Sequence, residues 1–150
     1  MAPVIRPPRD LTRDEIEELL ALDVPARLAT IDAGGFPHVT PLWFVWEDGA
    51  FHLTSLPDRP HLRRLERNPR AGLCVDTEAA QREDGERPNR QIRAVGRAEL
   101  FTDPDGRWTR RITEKYVRGP ALATRAALRM ADERTVIRIR PERLVAVAST

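Results

Sequence analysis

Two glycine-bearing turns, Gly34-Gly35 and Asp48-Gly49, each separate segments with a two-residue apolar period. Glycine reaches the positive φ angles that tight hairpins need, so each turn folds a strand back on its neighbour. Before the first turn, Leu28, Thr30 and Asp32 alternate with Arg27, Ala29 and Ile31. A long strand from His38 to Glu47 follows, and Ala50 to Ser55 returns beside it. Pro41 cannot donate to a ladder, which places its strand at an edge or a bulge. Arg70 to Asp76 and Asn89 to Phe101 extend the pattern, with Gly96 as a bulge or a point of close approach. Thr135 to Arg140 and Leu144 to Ala148 read as the last strands, with Pro141 marking a bend. Such hairpins predict a mainly β protein, an antiparallel barrel of about six or seven strands with helices at its margins.

The helical segments are short. Thr12-Arg13-Asp14-Glu15 is a capping box, and Ile16, Leu19 and Leu20 share the face that follows it. Pro60 suits a first helical turn, and Leu62 and Leu65 then give a helix through Arg67 one apolar face. Helices are also expected from Arg107 to Arg118 and from Ala121 to Met130, divided by Gly119-Pro120. Thr77 to Pro88 is polar and reads as a surface loop. Residues 1–10 are expected to form a loose arm, and residues 11–150 a single domain.

Composition excludes several classes of function. A net charge of +2 gives no reason to expect nucleic acid. Cys74 is the only cysteine and lies in an apolar run, so neither an intrachain disulfide nor a cysteine zinc site is expected. No apolar run approaches bilayer length, and the first ten residues lack a signal-peptide core, so a cytoplasmic protein is expected. His38, His52 and His61 lack the spacing of metal ligands, and no nucleophile elbow or phosphate-binding glycine loop is present. Glu17-Glu18 and the Asp103/Asp105 pair read as solvated helix and turn. No catalytic side chain stands out.

A basic cluster remains, with Arg59, His61, Arg63 and Arg64 at the start of a short helix. Free amides and the helix dipole favour an anion there, and arginine adds charge-assisted hydrogen bonds. Thr54 and Ser55 precede it with hydroxyl groups. Read from residues alone, Arg63, Arg64 and Arg67 fit the wet face of an amphipathic helix equally well. Trp43 and Phe44 point to opposite faces, so one packs inward while the other can line a pocket. Gln91, between two arginines, is either a surface residue or an amide able to donate and accept at a heteroaromatic ring edge.

The order Gly35-Phe36-Pro37-His38-Val39-Thr40-Pro41-Leu42-Trp43-Phe44, Arg59-Pro60-His61, Asn68-Pro69-Arg70, Arg90-Gln91-Ile92-Arg93 and Gly96-Arg97-Ala98-Glu99 resembles the flavin-binding split β-barrels related to pyridoxamine 5′-phosphate oxidase. The likeness is strongest between Arg27 and Leu100. It implies a split β-barrel homodimer with a flavin-type cofactor between subunits. By that resemblance Arg59, His61 and Arg64 would hold the cofactor phosphate, with help from Thr54 and Ser55. Thr40, Pro41 and Trp43 would wall the ring, and Gln91 would touch its edge from the same or the other subunit.

Three departures separate the chain from true pyridoxamine phosphate oxidases. His61 stands where the family clamp carries lysine. The family's basic pattern along the second strand is replaced by Thr40 and Phe44, and no C-terminal substrate-binding extension is expected after the last strand. The resemblance is therefore to the short members, which include FMN proteins and reductases using the deazaflavin coenzyme F-420. It implies an oxidoreductase that passes hydride to or from a small organic substrate, with FMN preferred for Arg90-Gln91 and F-420 as the alternative. A non-catalytic flavin, haem or tetrapyrrole storage protein on the same barrel is the other reading.

Overall fold

The computed structural model describes residues 2–149. Its element order is β1 (Arg9–Asp10), α1 (Arg13–Ala21), β2 (Ala26–Ile31), β3 (Pro37–Leu42), β4 (Phe44–Glu47), β5 (Ala50–Ser55), α2 (Pro60–Arg67), β6 (Arg70–Glu78), β7 (Asn89–Thr102), α3 (Arg107–Tyr116), α4 (Ala121–Met130) and β8 (Thr135–Ser149). The strands form one antiparallel sheet in the order β3-β2-β6-β7-β8-β5-β4, with β1 added beside β8. The two ends of this path, β3 and β4, are joined in the chain through Trp43 alone. The sheet is thereby drawn round into the split barrel that the hairpin pattern predicts.

Local chemistry accounts for the turns. Asp48 and Gly49 have φ angles of 53° and 70°, the double left-handed geometry of a two-residue hairpin. At the other hairpin, the Asp32 carboxylate accepts from the amides of Gly34 and Phe36 at 2.9 Å each. The capping box of α1 is closed, with the Thr12 amide donating to Glu15 and the Glu15 amide to the Thr12 hydroxyl.

Three strand boundaries differ from the sequence reading. The long strand breaks at Trp43, because β3 pairs with β2 whereas β4 pairs with β5. The Phe44 amide at the break donates to the Tyr116 hydroxyl instead of a strand partner. The two last strands are one, β8, paired with β7 on both sides of Pro141. There the register passes from Val95↔Arg143 to Gly96↔Pro141, which leaves Glu142 as the extra residue of a bulge. Arg9–Asp10 adds a short strand that the pattern does not announce. Pro41 does lie on an edge strand, and Gly96 does mark a close approach.

The core fills the barrel with Leu28, Phe44, Phe51, Leu53, Leu73, Val75, Ile92, Ile137 and Ile139, sealed by Leu19 and Leu20 of α1 and Leu62 and Leu65 of α2. Complete burial of each large side chain contributes roughly 2 kcal/mol. All six residues of β5 are buried, which needs cover on both faces. Phe51 and Leu53 point into the barrel. On the outer face His52 lies against Trp108 of α3, with 3.8 Å between ring centroids.

Candidate functional site

The helix α2 starts without a side-chain cap, and Pro60 fills its first turn. Pro60 has no amide hydrogen and the Leu62 amide donates back to the Arg59 carbonyl at 3.1 Å, so anion binding here falls mainly to the side chains. Immediately before the helix, β5 ends in Thr54 and Ser55, both buried. Together with β3 they form a cleft of about 420 Å³, lined by Thr40, Leu42, Thr54, Ser55, Leu56, Arg59, Pro60, His61, Arg64 and Arg134. Of the expected site residues, Thr40, Thr54, Ser55, Arg59, His61 and Arg64 thus meet in one place.

Three expected residues lie outside its wall. Thr40 and Leu42 point inward, so Pro41, out of phase with them, sits on the exposed outer sheet face with Val39. Trp43 stands at the β3–β4 corner, stacked on Tyr116 at 4.8 Å and covered by the Arg129 guanidinium at 4.8 Å. Gln91 is paired with Asp76 and Val147 on β7, far along the sheet from α2.

Arg129, which the sequence reading places in a helix, and Arg134, to which it gives no role, belong to this neighbourhood. Arg134 lines the cleft directly. Arg129, at the end of α4, brings Nη2 to 3.4 Å from the Thr54 hydroxyl. No local signal marks either one, since both arrive by the packing of a distant segment. Asp103 is a further correction: it is buried rather than solvated, accepting from the Trp108 and Thr109 amides and the Thr109 hydroxyl. It caps α3 in place of Gly106, which has no side chain to do so.

Inside the cleft the hydrogen bonds have a direction. Ser55 donates its single proton to the Leu56 carbonyl at 3.1 Å, so the His61 imidazole donates from Nε2 to Ser55 Oγ at 2.8 Å. Burial, then Arg64 and Arg59, hold the imidazole below its ordinary pKa, which keeps it neutral at pH 7. Arg64 Nε donates to the buried Thr30 hydroxyl at 2.8 Å, leaving its terminal nitrogens for a ligand. Among the described residues, no ion pair involves Arg59, Arg64, Arg129 or Arg134.

A larger groove of about 570 Å³ lies between the N-terminal arm, α1 and the 79–88 loop. Three of its four arginines are neutralised, Arg9 by Glu15, Arg82 by Asp84, and Arg90 by Glu15 and Glu18, and among the described residues only Arg6 has no ion pair there. The smaller cleft gathers three arginines without an ion pair among the described residues, Arg59, Arg64 and Arg134. It can clamp an anion beside the apolar side chains of Leu42 and Leu56. Among the described residues there is no cluster of metal ligands, and no helix is long and apolar enough to cross a membrane.

Solved structures share this fold. A FAD-binding protein from Mesorhizobium loti is 22% identical, covering 97% of this chain and 100% of that one with a TM-score of 0.68. An F-420 reductase is 25% identical, covering 85% and 94% with a TM-score of 0.64. A FAD and haem binding protein from Mycobacterium smegmatis is 17% identical, covering 96% and 74% with a TM-score of 0.70. No curated protein matches the sequence. The family model described as pyridoxamine 5′-phosphate oxidase matches residues 12–148, nearly the whole of the barrel, and the chain belongs to that family.

Proposed function

We propose that this chain is the subunit of a homodimeric, cytoplasmic oxidoreductase that holds FMN or the deazaflavin coenzyme F-420 beside α2. The observation that carries the reading is the cleft at the α2 N-terminus, where Arg59 and Arg64 point at a common space with no carboxylate to neutralise them. A phosphate fits that chemistry through paired charge-assisted hydrogen bonds. Arg59 and Arg64 grip the phosphate, His61 adds a neutral ring, and Thr54 and Ser55 supply hydroxyl groups. Thr40 forms the near wall for the ring, with Pro41 and Trp43 on the same strand and corner. A bound flavin or deazaflavin would supply the hydride chemistry itself, and the residues around it would bind and orient it.

Gln91 fits a role across a dimer interface. It lies on the outer face of β7, in phase with Val95. That face continues through register partners as Val39, Ala29, Gly72 and Val95, a row short of polar cover. Val39 and Val95 are 65% and 42% exposed, which favours their burial against a second copy. Gln91 of that copy then offers its amide to the ring edge.

The test is parallel fluorescence titration of purified apoprotein with FMN and F-420, with haem followed by absorbance. Tight binding of either redox cofactor, followed by reduction and reoxidation with a hydride donor and acceptor, is the expected result. Binding of haem alone would replace the oxidoreductase with a storage protein, a reading that likeness to the FAD and haem binding protein supports. Binding of none would overturn both.

A further inference from the structure

The clamp formed by Arg59 and Arg64 accounts for one anionic group, and the cleft carries positive charge beyond it. Arg134 forms another part of the wall, with its Nε committed to the Arg129 carbonyl at 3.1 Å. That bond fixes the head group and leaves its terminal nitrogens for other partners. Arg129 lies behind, resting on Trp43 and reaching Thr54, with its own Nε buried and without a partner. The guanidinium groups repel: after burial, Arg59 is the main influence lowering the Arg134 pKa, and Arg134 the main one lowering that of Arg129. Around Glu15 the clustered arginines Arg9 and Arg90 are matched by a carboxylate. Here, among the described residues, no ion pair matches them, and Asp132 near Arg134 offsets their repulsion only in part. Half-buried cations gathered without counter-ions are stabilised when a ligand brings the negative charge.

Resting on the cofactor reading above, we propose that Arg134, with Arg129 behind it, forms a second anionic subsite of this cleft, so that the protein selects a cofactor with two anionic groups in series over one ending in a single phosphate. Two sources share that chemistry: the diphosphate of a flavin dinucleotide, and the phosphodiester and carboxylate tail of a deazaflavin. FMN has only the first group. The substitutions that separate the subsites are Arg59→Ala for the first and Arg134→Gln for the second, with Arg134→Lys to restore charge.

The experiment titrates apoprotein with FMN, FAD and F-420 by fluorescence, and with inorganic phosphate and pyrophosphate by calorimetry. FAD or F-420 should bind about tenfold or more tightly than FMN, the size of one charged hydrogen-bonding group. The one that binds identifies the source. Arg134→Gln should remove most of that preference by weakening the longer cofactor about tenfold and FMN distinctly less, Arg134→Lys should recover part of it, and Arg59→Ala should weaken all three. Circular dichroism of each variant separates lost binding from lost fold. Equal affinity for FMN and the longer cofactors, or equal weakening of all by Arg134→Gln, would overturn the subsite while leaving the cofactor reading intact. If no flavin or deazaflavin binds, the cofactor reading fails. Pyrophosphate binding more tightly than phosphate in an Arg134-dependent way would then still support the subsite, and equal binding or none would overturn it.

Discussion

The imidazole of His52 lies flat on the indole of Trp108, with 3.8 Å between centroids and 7° between planes. Arg138 Nε donates to His52 Nε2 at 3.0 Å, so the ring is held as a neutral acceptor. Burial, then Arg138 and Arg140, push its pKa down to about 4. Protonation would break the Arg138 contact and add a third cation to the outer face of β5. In the unfolded chain His52 binds its proton near pH 6.5. Between these two values the unfolded state holds more protons, so stability is fully present above about pH 6.5 and declines as pH falls toward 4. His61, also lowered, acts in the same direction. Thermal melts at neutral and mildly acidic pH should show a loss of about 1–3 kcal/mol from His52. His52→Phe keeps the stack and should flatten that part of the pH dependence; an unchanged slope would assign it to other groups.

Arg59 and Arg64 differ in what else they touch. Arg59 makes no side-chain hydrogen bond among the described residues, whereas Arg64 also holds the buried Thr30 hydroxyl. Arg59→Ala should weaken cofactor affinity about tenfold and leave the melting temperature unchanged. Arg64→Ala should weaken affinity comparably and also cost about 1 kcal/mol of stability, from the orphaned Thr30 hydroxyl. Calorimetric titration and thermal melts on both variants check the contrast. Unchanged affinity in Arg59→Ala would remove that residue from the clamp.

What the sequence makes legible here is what local chemistry decides. Thr12 and Glu15 announce a capping box, Asp48-Gly49 a hairpin, and the stretch from Thr54 to Arg64 a cluster of hydroxyl and basic groups at a helix start, because each set of partners is adjacent in the chain. The break at Trp43 is invisible, since the apolar alternation runs through it while the hydrogen-bond partner changes from β2 to β5. Pro141 reads as a strand end because its missing amide is legible, yet a bulge at Glu142 absorbs it and the ladder resumes. Arg129 and Arg134 reach the cleft only because α4 packs on α3, a relation between segments that no short pattern encodes. Lys115 is similar: its ammonium donates to the carbonyls of Leu20 and Phe44 at 2.8 and 3.1 Å, tying α1 to β4 from the end of α3.

Gly96 is required by the approach of β8. A Cβ at this position would stand 2.5 Å from the Arg140 carbonyl oxygen and 3.1 Å from Ile139 Cγ2. The first neighbour is backbone, held in the ladder beside the bulge, and cannot swing away. Gly96→Ala should therefore destabilise the barrel by about 1–3 kcal/mol, as overpacking does elsewhere. The urea midpoint checks it. A midpoint equal to that of the parent would mean that β7 and β8 can separate here without cost.

Val95 tests the subunit arrangement on which the role of Gln91 depends. It is directly paired with Gly72, which pairs with Ala29 and so with Val39, making one apolar row across the outer face of four strands. A glutamate there would set like charges against each other across a two-fold axis and strand them in an apolar contact. Val95→Glu should give a folded monomer by light scattering, since the side chain points away from the core. Cofactor affinity should fall in that monomer, because Gln91 of a second copy no longer reaches the ring. Gln91→Ala should instead remain dimeric and shift the absorbance of bound cofactor. A dimeric Val95→Glu protein with parental affinity would place the interface on another face and remove Gln91 from the site.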